Sequence, residues 1–397
     1  MVPNQPLVTA MDDTLLHKRG RKVFGTAWRR DPLGPPFHPN LIWGQRFLQV
    51  SAALPAGDGQ SWARMVPIAM QHCPTPKRPR PNADAQQWKE YKQAQRHMAL
   101  SNQAAQRLIS LRKEMDAEEV NRQRQLICAV DGGYTNRKLF KEMPQRTILI
   151  GRIRKDAKLY NIAQPSEAQR GRRRNYGELL PTPEQIRKDT SIPWQHVQAW
   201  AAGKLHQFRI KFITPIRWRT AGADKNLQLV IIAPLAYRLT KRSKLLYRKP
   251  AYLICTDTQL PIDQLLQFYL WRWDIELNFR DEKTLLGIGK AQVRHPNSVE
   301  QLPQFITAAY AMLQLAVWKA FGPLTPKKGL IPIPKWQKNT SLKRPSTQKC
   351  ISRLRVELWG KAMGLDNFSH FEAHIKRIQN YKKDTPNLQT AILLAQR

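Results

Sequence analysis

The chain has 397 residues and a formal net charge of +37, from 66 Lys and Arg against 29 Asp and Glu. That length suffices for one large or two ordinary domains with a real core. The charge asks for a polyanionic partner, DNA or RNA before others. A membrane is not expected as that partner, because there is no 18-residue apolar run and no basic amphipathic anchor. The N-terminal MVPNQPLVTAMDD lacks the charged and apolar regions of a signal peptide. Cys73, Cys128, Cys255 and Cys350 lie far apart in the sequence. With no CxxC or Cys/His cluster they do not read as a zinc site or disulfide framework; Cys128 and Cys255, each inside an apolar run, read as buried free thiols, and a reducing cytosol fits.

Taken in chain order, LVTAMDD is a short β-run ending in two acids. A basic loop rich in Gly and Pro follows (KRGRKVFG, then DPLGPPFHPN), and LIWGQRFLQVSAAL and RMVPIAMQ then read as strands. The break CPTPKRPRPN leads to a long helix from about Ala85 to Arg122. Next come the strand LICAVDGG, a short helix near Arg137 to Met143, and the strand RTILIGRIR. Pattern alone makes this α/β with a mixed sheet. From 156 to 247 a basic β-rich insertion is expected, with HQFRIKFITPIRWRT and LQLVIIAPLAYRLTKR as antiparallel strands joined by a polar turn at Gly222 to Asn226. PAYLICTD returns to the sheet, and a helix begins near Pro261. Phe305 to Phe321 is the most apolar stretch and reads as a buried helix. Residues 322–397 form a basic, Pro-rich arm and two helical segments, about 351–363 and 368–381.

The sharpest signal lies in YLWRWDIELNFRDEK. Tyr269, Arg272, Glu276 and Lys283 are spaced three, four and seven apart, which at roughly 100° per residue confines them to a helical stripe about 60° wide. Leu266, Leu270, Trp273 and Leu277 make the neighbouring apolar stripe, a packed core face. Asp263, Asp274, Asp281 and Glu282 point away from the four. One carboxylate beside two cations and a phenol suits holding a metal next to a phosphate.

That spacing, Y-x2-R-x3-E-x6-K, together with the flanking NFRDEK and LGIGKAQVRHPNSVEQ, resembles the DDE transposases of bacterial insertion sequences, in the branch with a Tyr-Arg-Glu-Lys signature helix. The resemblance runs from about Leu7 to Phe321 and implies a ribonuclease-H-like α/β core. Residues 1–155 would form its first part and 248–321 the rest, around the β-strand insertion, with C-terminal helices after it. It implies three carboxylates holding two Mg²⁺ ions, with Mn²⁺ able to substitute. Glu276 would be the third. Asp131, after LICAV and before GGYTN, is preferred as the second over Asp257, which follows AYLICT. Asp12 is preferred as the first over Asp13, and strand alternation sends the two to opposite faces.

By the same resemblance Tyr269, Arg272 and Lys283 would grip DNA phosphates, and the family's base-stacking aromatic would fall among Trp194, Trp200 and Trp218, each of which reads by default as a packing tryptophan. The protein would be a cytoplasmic, nucleoid-associated transposase, a homodimer when assembled on DNA. Only eleven residues precede Asp12, where such transposases usually carry a helical DNA-binding region. The resemblance therefore implies a shortened copy or a missed upstream start. The alternatives are an inactive transposon-derived DNA-binding remnant and a ribonuclease-H-like nuclease without strand transfer.

Overall fold

Eleven mostly apolar residues, LVTAMDDTLLH, make the first strand, β1 (Leu7–His17), which takes a neighbouring strand on either side. The computed structural model describes residues 5–359 apart from 32–33, 36–37, 39, 58–60, 165–173, 239, 241 and 324–345. β1 is followed by β2 (Ala27–Arg30), β3 (Leu41–Pro55) and β4 (Ala63–His72). The helical segment α1 (Ala85–His97), α2 (Leu100–Ala117) and α3 (Glu119–Arg122) comes next, then β5 (Leu126–Val130), α4 (Arg137–Glu142) and β6 (Thr147–Arg152). Pairing gives the order β4–β3–β1–β5–β6, with β1, β5 and β6 mutually parallel and β3 and β4 antiparallel. This is the ribonuclease-H-like arrangement, α/β with a mixed sheet.

The next segment adds strands to the same sheet. They are β7 (Leu159–Ile162), β8 (Tyr176–Leu179), β9 (Gln195–Ala201), β10 (Lys204–Trp218) and β11 (Leu227–Ile232), with α5 (Pro183–Lys188) between β8 and β9. β11 pairs antiparallel with both β10 and β14 (Ala251–Cys255), and β14 pairs with β6. A separate two-stranded ribbon joins β12 (Ala236–Tyr237) to β13 (Leu246–Tyr247). The helices α6 (Ile262–Trp271), α7 (Asp274–Thr284), α8 (Pro296–Phe321) and α9 (Thr347–Trp359) complete the described chain.

Core residues lie on both faces of the sheet, as period-2 alternation of mostly apolar strands requires. On one face Leu126, Cys128 and Val130 pack with Leu108, Leu111 and Met115 of α2 and with Leu139 and Phe140 of α4. On the other, Ile127, Ile150 and Leu253 pack with Leu265, Leu266, Ile275 and Phe279 of α6 and α7. α4 starts where the Asn136 carboxamide oxygen accepts from the Lys138 and Leu139 amides at 3.1 and 3.2 Å, a side-chain cap on otherwise orphaned donors.

Several sequence expectations need correcting. β1 runs through the two acids instead of ending at them, and β2 occupies what reads as loop. The single helix expected from Ala85 to Arg122 is three pieces, the first of which buries no residue. The stretch from Phe305 to Phe321 is helical but not buried all round, because Phe305 and Met312 stand 71% and 69% exposed. The expected helix at 351–363 is seen as α9 up to Trp359, while the expected helix at 368–381 and the basic arm at 324–345 fall outside the described residues. All four cysteines are free and buried. No helix among the described residues is long and apolar enough to cross a membrane.

Candidate active site

Parallel pairing of β1 with β5 sets Met11 opposite Val130. Asp12 and Asp131 are therefore the next residues on two neighbouring strands. β5 ends at Val130, and Asp131 opens the turn into α4, its carbonyl accepting from the Tyr134 amide at 3.0 Å. The small residues after it keep this turn open, since Gly132 and Gly133 are both exposed.

The third carboxylate arrives on a helix that changes winding. Between α6 and α7, Arg272 and Trp273 donate to carbonyls only three residues back, Tyr269 and Leu270, at 3.2 and 3.3 Å. Ile275 and Glu276 continue the same i→i−3 pattern onto Arg272 and Trp273. A 3₁₀ turn advances each residue by about 120° instead of 100°, so it rotates α7 relative to the course of an uninterrupted helix. Trp273, expected in the packed apolar stripe, is accordingly 56% exposed.

The polar stripe nevertheless converges. Arg272, 7% exposed, donates from Nη1 to Asp12 Oδ2 at 3.0 Å, and its Nη2 lies 3.6 Å from Glu276 Oε1. The Tyr269 ring sits 5.7 Å from the guanidinium carbon. Burial pushes the Asp12 carboxyl up to about 6; Arg272 opposes that rise, and Asp13 and Asp131 add to it. Burial also raises Glu276, with Arg272 opposing and Asp131 adding. Burial works against the Arg272 charge, but Tyr269, Asp12, Asp131 and Glu276 together hold the guanidinium above its usual value. One cation thus serves three carboxylates. Lys283 stands about two turns beyond Glu276, partly buried, its ammonium lowered by burial and supported by Glu282 and Asp31.

The alternatives lie elsewhere. Asp13 points to the other face of the sheet, accepts from the Tyr134 hydroxyl at 2.7 Å and pairs with Arg46 Nε at 3.1 Å. Asp257 shares a depression with Gln125 and Thr147, at the starts of β5 and β6. That is the opposite end of the sheet from Asp131. There Asp257 accepts from the Gln259 amide at 2.8 Å, as a turn aspartate does. The three insertion tryptophans are partly buried. Trp194 and Trp218 pack on the core, and the Trp200 amide donates to Gln267 at 2.8 Å. The Asp13–Tyr134–Arg46 contacts were not legible in the sequence, since Tyr134 lies more than a hundred positions from Asp13.

Compared with known families, residues 101–312 match the transposase DDE domain. The chain belongs to the DDE transposase family. The match takes in more than half of the chain, including Asp131, Tyr269, Arg272, Glu276 and Lys283, while Asp12 precedes it. No curated protein matches this transposase-family chain. Its carboxylates offer hard oxygen donors with no His or Cys among them, the donor type that Mg²⁺ prefers. Among the described residues no three His, Cys, Asp or Glu side chains stand close enough to hold one ion. Arg272 supplies the positive charge there instead.

Proposed function

We propose that this DDE-family chain is the transposase of a bacterial insertion sequence of the Tyr-Arg-Glu-Lys branch. It cleaves DNA strands at the element's ends and joins the freed 3′-hydroxyls to target DNA, acting as a homodimer on DNA in the bacterial cytoplasm. The observation that carries this reading is the contact of Arg272 with Asp12 and Glu276, within electrostatic reach of Asp131. Three carboxylates from β1, the end of β5 and α7 sharing one cation are the charge arrangement a divalent ion could take over.

Asp12, Asp131 and Glu276 would hold two Mg²⁺ ions, whose chemistry is to activate an attacking oxygen and stabilise a leaving one. The chain's own groups do the rest. Arg272, freed from Asp12 and Glu276, presents a planar fork that binds two phosphate oxygens at once. Tyr269 packs beside that guanidinium and limits its swing. Lys283 adds a point charge further along the strand. In the first reaction water displaces a 3′-oxygen at phosphorus; in the second that 3′-hydroxyl attacks a target phosphodiester and displaces the target strand's own 3′-oxygen, which leaves as a hydroxyl. Both are in-line displacements that need orientation more than covalent help from the protein.

The test is plasmid nicking in Mn²⁺. Asp131→Ala should abolish it, whereas Asp257→Ala should leave it within about twofold of the unmutated chain, a ratio that is small on the free-energy scale. Nicking that survives in Asp131→Ala and vanishes in Asp257→Ala would overturn the assignment. DNA affinity of either variant should remain and should fall steeply between roughly 50 and 200 mM salt, as many phosphate contacts require.

A further inference from the structure

Beyond the carboxylates, the same face of the sheet carries a second feature. Cross-strand partners share a face and alternate residues return to it. Asp12 pairs with Gln49, and Trp43 lies six residues back along β3 in the same alternation. Trp43 pairs in turn with Trp28 on β2. Both tryptophans therefore lie on the Asp12 face, about 17–20 Å along it at roughly 3.3 Å per residue. Their rings meet edge to face, 5.5 Å apart at 64°. The Trp43 indole N–H is committed to the Gly20 carbonyl at 3.1 Å. Trp43 is thus fixed, and it fixes Trp28, whose side chain is 62% exposed.

The surroundings are cationic. The Gly20 loop reads Lys18, Arg19, Gly20, Arg21, Lys22, and Arg30 follows Trp28 on the same face. Lys18 ties this loop to the segment after α7 by donating to the Gly289 and Ala291 carbonyls at 3.0 and 3.1 Å. Lys283 adds a further cation on this side, coupled to Asp31 just after β2. A strand leaving the carboxylates along this face would therefore reach an exposed indole held among cations.

We propose that Trp28, braced by Trp43 and flanked by Arg19, Arg21, Lys22 and Arg30, is a stacking platform for unpaired bases of a DNA strand running out of the active site. A phosphate backbone alone gains nothing from an indole, whereas any base offers a face to stack on, and basic side chains beside aromatics are the combination that holds single strands. The proposal rests on the DNA-processing reading above but concerns a separate surface, and the two fail separately.

The experiment compares binding of the full chain to two labelled DNAs, a blunt duplex and the same duplex with an unpaired tail of about six nucleotides, roughly the reach to Trp28. Trp28→Ala should weaken tailed-duplex binding about tenfold, within the range for losing one stacked base, and leave the blunt duplex within about twofold. Trp28→Phe should restore most of the loss. Equal weakening on both DNAs, no weakening on either, or a change only in oligomeric state would overturn the platform. Mn²⁺ nicking by the unmutated chain decides the transposase reading independently. A chain that nicks while Trp28→Ala binds tails normally keeps the function and loses the platform.

Discussion

Two glutamates six residues apart on α7 face opposite surroundings. Glu276 is on the open side, half-buried, with Arg272 3.6 Å away and Asp131 within electrostatic reach. Glu282 is fully buried, and neither of its carboxyl oxygens has a hydrogen-bond partner among the described residues. The inner side of α7 is as polar as the outer. There Asp274 accepts from the Met65 amide at 3.1 Å, Asn278 donates to the Met65 carbonyl at 2.8 Å, and Asp281 accepts from the Thr347 hydroxyl at 2.5 Å. On the outer side a guanidinium opposes the rise that burial imposes on the carboxylate. The inner side fixes the helix to β4 and α9 and leaves one buried acid that Thr307 and Lys283 offset only in part. A carboxylate on this helix is a working group only where a cation and an opening accompany it.

The largest test of that contrast is cleavage. Glu276→Gln should reduce nicking and joining below detection while leaving DNA affinity nearly intact, because the +37 charge supplies most of the attraction. Glu282→Gln should retain both activities near the pH optimum. If instead Glu282→Gln abolished cleavage in a folded protein and Glu276→Gln did not, the assignment of working and buried sides would be reversed.

The second test is stability against pH. Burial pushes Glu282 from 4.5 up to about 8, and the Lys283 ammonium and Thr307 hydroxyl offset only part of that rise. The folded chain therefore keeps a proton that the unfolded chain releases. The contribution is complete below about pH 4.5 and is lost as pH climbs towards 8. The span corresponds to a loss on the order of 5 kcal/mol. Glu282→Gln cannot ionise, so its advantage in urea midpoint over the unmutated chain should be small at pH 5 and large at pH 8.5. A gap that does not change with pH would mean that Glu282 is hydrated or paired in solution.

Much of this is legible in the sequence where local rules suffice. The strands around LICAVD and AYLICTD, the short helix α4, and the convergence of Tyr269, Arg272 and Glu276 are all legible from local sequence pattern. The features that escape it depend on register or on a single turn. β2 is four residues long, and Trp28 meets Trp43 only through pairing with β3. The 3₁₀ turn at Arg272 and Trp273 has no Gly or Pro to announce it, and it turns Trp273 outward. The outer face of α8, with Phe305 and Met312, looks like core in one dimension because burial depends on what the rest of the chain covers.

The smallest and most discriminating test concerns Arg272, which belongs to both sides of the contrast: a buried side chain whose charge faces the open site. If its task is to orient a phosphate, Arg272→Ala should impair joining of a pre-cut 3′-hydroxyl end on the order of a hundredfold, since small misplacements in an in-line reaction cost that much. Non-specific nicking in Mn²⁺ should suffer less, because it uses the three carboxylates without requiring one fixed register of the strand. Arg272→Lys should recover only part of the joining, as an ammonium keeps the charge but not the two-point fork. Strand transfer and plasmid nicking measured side by side on the same preparations decide the matter. An equal fall in both, with full recovery by lysine, would make Arg272 a counter-ion that holds Asp12 and Glu276 together and nothing more.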